Sequence, residues 1–190
     1  MRKYDSLIYL KGMGLNVGVL KEFDYSQRKE LYAYARYLIK KFGGLIVRTD
    51  FPKYITDKKP IGLPYISDCK DFRKLEAFVE SHKGKYTYIL LQMIGNEKTI
   101  LSAYVYLDES KRLCGEINDV DKLDMPRNMN VTEHLKQICI GPDGDDEMLE
   151  AIRADLIKAR VPPNRIVELV IFNINGKPTP FYKQLRGEGF

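Results

Sequence analysis

The residues with the clearest chemical potential lie in a strand pair that the sequence predicts at 166–186. Asn175-Gly176 lies at its centre, and this dipeptide favours a tight turn between antiparallel strands because both positions tolerate positive φ. Side chains alternate between the two faces of a strand, so we expect Gln184 and Arg186 to share one face. With Glu168 on the preceding strand, a carboxylate, an amide and a guanidinium could converge there.

Two interpretations fit this trio of side chains. Carboxylate and amide oxygens can hold a metal ion while a guanidinium binds phosphate. The same residue types also make up the polar side of an ordinary half-buried sheet. The hairpin alone leaves both interpretations open, so the elements that position it must be considered.

Composition sets broad limits on fold and function. The chain has 190 residues, 44% of them hydrophobic, which suits one large domain or two small lobes with an ordinary core. The net charge of +5 is compatible with anionic ligands such as nucleotides or nucleic acid. The sequence shows neither a run of about 18 apolar residues nor an apolar segment after the basic N-terminus, so we predict no membrane span or secretory signal and expect a cytoplasmic protein.

Cysteine spacing argues against a metal or disulfide framework. Cys69, Cys114 and Cys139 are far apart in the sequence and form no Cys-x-x-Cys pair. We therefore predict three buried thiols, with neither a zinc site nor a disulfide.

The first half of the chain alternates helices and strands. Hydrophobic spacing and turn residues predict a helix at 3–12, a strand at 16–23, a helix at 26–42 and a short buried strand, LIVRT, that leads to Asp50. A long irregular loop is predicted at 52–68 because prolines and lysines dominate it; they are Pro52, Lys53, Lys58, Lys59, Pro60 and Pro64. Those lysines form either a lid or a solvated face.

The second half is richer in strands. A helix is predicted at 70–82, followed by an antiparallel meander of strands at 86–93, 99–107 and 112–117. A further helix begins at Asp145 or Asp146 and runs to about residue 160, before the terminal hairpin. The order of elements predicts an α+β fold in which antiparallel sheet dominates the second half.

Five stretches carry motifs that recur together in one known family. They are KYDSLIYLKGMGLNVG at the N-terminus, GGLIVRTD with Arg48, LLQMI with Gln92 and Met93, AIRADLIKARVPPNRIVEL with Glu168, and FYKQLRGEG with Gln184 and Arg186. In this order they resemble the ATP-binding domain of phosphoenolpyruvate synthase and pyruvate phosphate dikinase, a domain of the ATP-grasp superfamily.

The resemblance implies an ATP-grasp-like α+β fold with two lobes of mainly antiparallel sheet and flanking helices. The N-terminal lobe would be residues 1–82, with the basic loop 52–68, and the C-terminal lobe residues 83–190, with the hairpin 166–186. In this family a nucleotide is clamped between the lobes, so the hairpin would form one wall of a cleft and the first fifty residues the other. The implied activity is that of an ATP-dependent phosphotransferase or ligase.

The resemblance also implies roles for individual residues. Arg48 and Arg186 would stabilise the transferred phosphoryl group, and Glu168 with the Gln184 amide oxygen would hold Mg²⁺. The nucleotide-binding residues would be Lys3, Arg48, Gln92, Met93 and Gln184. Further carboxylates expected near the cleft are Asp50, Glu116 and Asp119.

Several departures from the family keep other functions open. The chain is shorter than the family's ATP domain, it lacks the glycine- and methionine-containing phosphate loop after the arginine strand, and Gly187 replaces an expected proline. One alternative is therefore a non-catalytic relic that serves as a binding or scaffold module for a protein partner. Nucleic-acid binding is a further, less favoured alternative, because the basic residues are spread along the chain. The acceptor of a transferred phosphoryl group is not specified by the sequence.

Overall fold

The computed structural model describes residues 2–53, 55, 62–93, 99–119, 136–141 and 146–185. The chain divides into two units. The first unit comprises Met1–Asp5 and Gly18–Asn96, and the second comprises Ser6–Val17 and Glu97–Phe190.

The described helices are α1 (Lys3–Gly12), α2 (Arg28–Phe42), α3 (Phe72–Ser81) and α4 (Glu147–Lys158). The strands are β1 (Leu20–Phe23), β2 (Leu45–Asp50), β3 (Tyr65–Cys69), β4 (Thr87–Gln92), β5 (Thr99–Leu107), β6 (Leu113–Asp119), β7 (Lys136–Ile140), β8 (Val167–Ile174) and β9 (Lys177–Leu185). None of the helices in these described ranges is long and apolar enough to cross a membrane.

The first unit contains a four-stranded sheet in the order β1-β4-β2-β3, and its neighbouring strands are antiparallel. The core lies on the face where α2 and α3 place their apolar stripes. Apolar residues at helical spacing and alternate strand residues build this core; they include Leu31, Ala35, Leu38, Leu45, Val47, Leu75, Val79 and Tyr88. Arg48 alternates with these strand residues and therefore lies on the opposite face of the sheet.

The predicted meander is wrong at its first strand. β4 pairs with β1 and β2 in the first sheet, whereas β5 pairs with β6 and β8 in the second. The residues Thr87–Leu90 are all buried, which suits a central strand with neighbours on both sides. The predicted lobe boundary after residue 82 precedes this strand, whereas the first unit continues through β4 to Asn96.

The predicted loop at 52–68 is shorter than expected. Tyr65–Cys69 forms β3, which pairs antiparallel with β2, and the Thr49 hydroxyl donates a hydrogen bond of 2.6 Å to the Pro64 carbonyl oxygen where this strand begins. Lys53 is exposed, and Lys58 and Lys59 lie outside the described residues. The strand predicted at 16–23 is likewise shorter, with only Leu20–Phe23 paired.

The second unit contains a five-stranded antiparallel sheet in the order β7-β6-β5-β8-β9. Asn175 and Gly176 adopt φ of 53° and 80°, so the predicted turn between β8 and β9 is confirmed. Alternate residues of the central strands face α4 and form the core; they include Ala103, Val105, Leu107, Leu113, Val167 and Leu169, with Leu149, Ile152 and Leu156 from the helix. The buried Tyr182 hydroxyl donates a hydrogen bond of 3.0 Å to Asp155 of α4.

Residues Ser6–Val17 belong to the second unit because polar contacts tie them to β9. The Ser6 hydroxyl oxygen accepts a hydrogen bond of 2.7 Å from the Leu185 amide, and the Asn16 carbonyl oxygen accepts one of 2.9 Å from the Tyr182 amide. The two sheets with their flanking helices confirm the predicted α+β class.

Candidate functional site

A row of polar side chains crosses the second sheet on the face opposite its core. Glu168 of β8 lies opposite Tyr104 of β5 and Gln184 of β9, and Tyr104 lies opposite Glu116 of β6. Directly paired residues of an antiparallel sheet project to the same face. We call these four residues the polar row. All four are intermediate in exposure, so the row is neither core nor fully solvated.

A β-bulge adds a fifth polar residue beside the row. Lys183 and Gln184 together occupy the space opposite Glu168, because the register shifts before Leu169 pairs with Tyr182. The Lys183 ammonium lies 3.4 Å from Glu168 Oε1, although strict alternation would place Lys183 on the other face. Sequence reasoning missed Lys183, since no glycine or other local signal marks the bulge.

The polar row has the ligand chemistry that Mg²⁺ requires. Glu168 supplies carboxylate oxygens with only 14% of its side chain exposed, and Gln184 supplies an amide oxygen directly opposite. Mg²⁺ takes hard oxygen ligands and usually needs only one or two carboxylates, completing its shell with water and phosphate oxygens. The donor set therefore fits Mg²⁺, with the Lys183 ammonium as a neighbouring positive charge.

Arg48 lies on the face of the first sheet opposite the core formed with α2 and α3. It lies opposite Ile89 of β4 and Tyr65 of β3, and its side chain is partly buried. Within the described part of the chain, its guanidinium takes part in no hydrogen bond or ion pair. A guanidinium with free donors can bind a phosphate through two parallel hydrogen bonds.

Gln92 and Met93 have structural contacts in the first unit. Gln92 Oε1 accepts a hydrogen bond of 2.8 Å from the Val19 amide, and the Gln92 amide donates one of 2.8 Å to the Val19 carbonyl oxygen. Met93 is 9% exposed and packs so closely on Gly44 that a Cβ there would lie 2.9 Å from the thioether. These contacts fix the backbone at the end of β4.

The basic residue that the structure buries at the N-terminus is Arg2, which sequence reasoning passed over in favour of Lys3. Its guanidinium contacts the Glu22 carboxylate and donates hydrogen bonds of 3.0 Å to the Phe51 carbonyl oxygen and 3.2 Å to the Thr87 hydroxyl. Lys3 begins α1 and is only partly buried. The sequence around Arg2 carries no signal for this cluster, because the partners Glu22, Phe51 and Thr87 are distant in the chain.

Asp50 is part of the same buried cluster, which explains it without a metal. Its carboxylate is fully buried, accepts a hydrogen bond of 3.2 Å from the Tyr4 amide, and lies 3.8 Å from Arg2 Nε. A carboxylate at the first turn of α1 is favoured by the free amides there. We therefore assign Asp50 to folding.

A cavity of about 360 Å³ adjoins this cluster in the first unit. Polar groups on its wall come from Tyr4, Glu22, Asp24, Gln27, Lys53 and Thr87. Glu22 and Thr87, on the wall of this cavity, are already bound to Arg2.

Two predicted site residues lie beyond what the structure describes. Arg186 is outside the described residues, and Asp119 is described only in its backbone. Glu116, in contrast, lies in the polar row, two strands away from Glu168.

The thiols differ from the prediction at one position. Cys69 and Cys114 are buried, but Cys139 is exposed. Cys139 lies directly opposite Cys114 across β6 and β7. Burial, followed by a hydrogen bond with Cys139, raises the pKa of the Cys114 thiol to about 12. The two sulfurs lie within 4.8 Å of each other, a pairing that residues 25 positions apart did not reveal in the sequence.

No model of a known protein family matches the sequence, and no curated protein sequence matches it. Solved structures do match. Carboxyaminoimidazole ribonucleotide synthase from Aspergillus clavatus, complexed with ATP, has a TM-score of 0.54 at 11% identity over 96% of this chain and 43% of that chain. N5-carboxyaminoimidazole synthase from Aspergillus clavatus, in complex with ADP and 5-aminoimidazole ribonucleotide, has a TM-score of 0.56 at 12% identity over 97% of this chain and 43% of that chain.

D-alanine-D-alanine ligase from Helicobacter pylori has a TM-score of 0.51 at 12% identity, over 97% of this chain and 50% of that chain. This chain thus spans half or less of the length of these three matched structures. The specific resemblance to phosphoenolpyruvate synthase and pyruvate phosphate dikinase stays a prediction. Together, the two antiparallel sheets and these structural matches show that the chain has the ATP-grasp fold.

Proposed function

We propose that this chain binds ATP together with Mg²⁺ and transfers a phosphoryl group to an acceptor. The observation that carries the proposal is the register of Glu168 with Gln184, which aligns two hard oxygen donors on one face of the second sheet. An ordinary solvated face would also contain polar residues, but Glu168 and Gln184 are partly buried and lie directly opposite each other. The acceptor and any protein partner are outside the proposal.

In this proposal the chain's own residues bind and orient the nucleotide. Glu168 and Gln184 hold Mg²⁺, which when bound neutralises charge on the phosphate oxygens. Lys183 acts as a point charge beside them, and Arg48 donates hydrogen bonds to phosphate, with Arg186 as a second guanidinium. Lys3 faces the phosphates, while Gln92 and Met93 bind the adenine. Catalysis then consists of positioning and of stabilising the charge that develops on the transferred group.

The structural matches support ATP as the nucleotide. One matched structure holds ATP and another holds ADP with 5-aminoimidazole ribonucleotide. The fold is therefore compatible with a nucleotide and with a small second substrate.

Isothermal titration of the purified chain with ATP, with and without Mg²⁺, tests the proposal. We expect a dissociation constant below about 1 mM that depends on Mg²⁺. Glu168→Gln and Arg48→Ala should each weaken binding at least about tenfold, a loss of about 1.4 kcal/mol. The exposed residues Glu109 and Arg73 provide matched controls, and Glu109→Gln and Arg73→Ala should bind as the unchanged chain does. Binding that is absent, or equal in all four variants, would refute the proposal.

The Lys183–Glu168 ion pair specifically favours a second candidate, a non-catalytic binding module. An ammonium bound to the metal-ligating carboxylate lowers that carboxylate's affinity for a cation, so nucleotide binding could persist without catalysis. Mg²⁺-dependent release of phosphate from ATP distinguishes the two candidates. Turnover that Glu168→Gln abolishes excludes the non-catalytic module, whereas binding without turnover in the presence of trial acceptors supports it.

A further inference from the structure

A second cluster of ligating side chains lies near the β7 edge of the second sheet. The carboxylate of Asp108 and the thiols of Cys114 and Cys139 place their ligand atoms within 4.8 Å of one another. In the strand order, β6 and β7 are separated from the Glu168–Gln184 pair by β5. The cluster therefore shares no residue with the proposed Mg²⁺ ligands Glu168 and Gln184.

Local structure holds each member of this cluster in place. Cys114 and Cys139 are direct partners across β6 and β7. Asp108 follows β5 and closes a tight turn, since its amide donates a hydrogen bond of 3.0 Å to the Arg112 carbonyl oxygen and its own carbonyl oxygen accepts one of 2.9 Å from the Lys111 amide. Gly115, with φ of 144°, allows a close backbone approach, because a Cβ there would lie 2.1 Å from the Tyr104 carbonyl oxygen.

The sulfurs lie close enough for one metal ion to bridge them, since the ligand atoms of the cluster are within 4.8 Å of one another. Two thiolates on a tetrahedral Zn²⁺, at Zn–S distances of about 2.3 Å, lie about 3.8 Å apart. Cys114 and Cys139 are both free thiols and can therefore both serve as ligands.

Arg112 orients the Asp108 carboxylate through hydrogen bonds, as the hydrogen-bond partners of metal ligands commonly do. Its Nε donates a hydrogen bond of 2.7 Å to Asp108 Oδ2, and its amide donates one of 2.8 Å to Asp108 Oδ1. Each carboxylate oxygen has two lone pairs, so the carboxylate can bind a cation while it accepts these hydrogen bonds. With two thiolates, one carboxylate and one guanidinium, a divalent cation leaves the cluster electrically neutral.

We infer that Asp108, Cys114 and Cys139 form a binding site for a borderline-soft divalent cation of the Zn²⁺ class, with a fourth position open to solvent. Sulfur ligands select this class over Mg²⁺ or Ca²⁺. Binding releases one proton from each thiol, because the ligands are thiolates. Cys139 is exposed, so water reaches the fourth position. The bound cation ties strand β7 to the turn between β5 and β6.

Cobalt titration of the whole chain tests this inference. After treatment with a chelator and a thiol-free reductant, the chain is titrated with Co²⁺ under anaerobic conditions. We expect a thiolate-to-cobalt charge-transfer band that saturates at one cobalt per chain and disappears when Zn²⁺ is added. Cys139→Ser should weaken binding at least about 100-fold and reduce the band, and Asp108→Asn should weaken it about tenfold or more.

Cys69→Ser is the matched control. Cys69 is also a buried thiol, but its Sγ contacts the Asp71 carbonyl oxygen in the first unit. This variant should keep full cobalt binding. Cys139 is exposed, so Cys139→Ser is expected to fold, and circular dichroism checks that it does. No charge-transfer band, a band that survives in Cys139→Ser, or a band lost in Cys69→Ser would each overturn the inference.

Discussion

Glu168 and Gln184 lie directly opposite each other in β8 and β9, and the extra residue in this strand pair, Lys183, places its ammonium 3.4 Å from Glu168 Oε1. The bulge thus puts a positive charge beside the two oxygen donors proposed for Mg²⁺. Before Mg²⁺ can bind at Glu168, this contact must weaken. It weakens, for example, if the Lys183 side chain moves so that its ammonium contacts a phosphate oxygen of the nucleotide. Cation and nucleotide binding would then be linked through one lysine.

Lys183→Met tests this linkage directly. Without the competing ammonium, we expect the Mg²⁺ concentration that half-saturates ATP binding to fall about twofold to fivefold, which corresponds to the modest strength of a partly exposed ion pair. Titration of ATP at a series of Mg²⁺ concentrations measures this value. Lys177→Met, at an exposed position of the same strand, should leave it unchanged. An unchanged Mg²⁺ requirement in Lys183→Met would show that the lysine does not compete with the cation.

Gln92 has a structural contact that must be separated from its proposed role in nucleotide binding. Its Oε1 accepts the hydrogen bond of 2.8 Å from the Val19 amide, so Gln92→Leu leaves a partly buried donor without a partner. We expect this variant to lose about 1–2 kcal/mol of the free energy of unfolding, measured by urea denaturation. Gln92→Glu keeps the acceptor oxygen and should lose less. If Gln92→Leu is as stable as the unchanged chain, the contact with Val19 contributes nothing.

Local sequence signals predicted the elements whose structure is fixed locally. Asn175-Gly176 predicted the hairpin because positive φ at both positions is a property of those two residues. The helix predicted at 3–12 has the bounds Lys3–Gly12, since the apolar residues and the terminal glycine lie within the segment. Arg48 was correctly placed on a strand for the same reason.

Features that depend on distant partners were not predictable in this way. β4 resembled the first strand of a meander, but its pairing with β1 and β2 is decided by residues far along the chain. Tyr65–Cys69 is a short edge strand within a proline-rich stretch, and its alternation is too brief to outweigh the prolines. The Lys183 bulge and the Cys114–Cys139 pair likewise require the register of two strands, which single residues do not encode.

The buried ion cluster around Arg2 predicts that two basic residues near the N-terminus, Arg2 and Lys11, contribute unequally to the free energy of unfolding. Arg2 is 13% exposed and contacts the carboxylates of Glu22 and Asp50. Arg2→Met would leave these charges buried without their partner, so we expect a loss of about 3–5 kcal/mol in the free energy of unfolding. Lys11→Met, at an exposed position of α1, should change it by less than about 0.5 kcal/mol.

Chemical denaturation of the two variants gives both values. A double variant, Arg2→Met with Glu22→Gln, should recover part of the stability because it removes one of the uncompensated charges. Equal stabilities of Arg2→Met and Lys11→Met would contradict the assignment of Arg2 to a buried cluster.

Tyr88 predicts a loss of stability at alkaline pH. Its side chain is fully buried and its hydroxyl donates a hydrogen bond of 3.0 Å to the Val79 carbonyl oxygen. Burial raises the pKa of Tyr88 from 10.0 to about 12. Because the folded chain holds this proton more tightly than the unfolded chain, the stabilising contribution is complete below pH 10.0 and is lost as the pH rises towards 12.

The measurement is the free energy of unfolding by urea from about pH 8 to about pH 12, where a single such group contributes a slope of up to about 1.4 kcal/mol per pH unit. Tyr88→Phe removes the titrating hydroxyl, so its stability should fall less steeply with pH than that of the unchanged chain. Some fall should remain, because Tyr32 and Cys114 also have raised pKa values. Tyr9→Phe is the matched control because Tyr9 is exposed. If the slopes of Tyr88→Phe and Tyr9→Phe are the same, Tyr88 does not keep its proton through burial, and the alkaline loss of stability must come from the other raised groups.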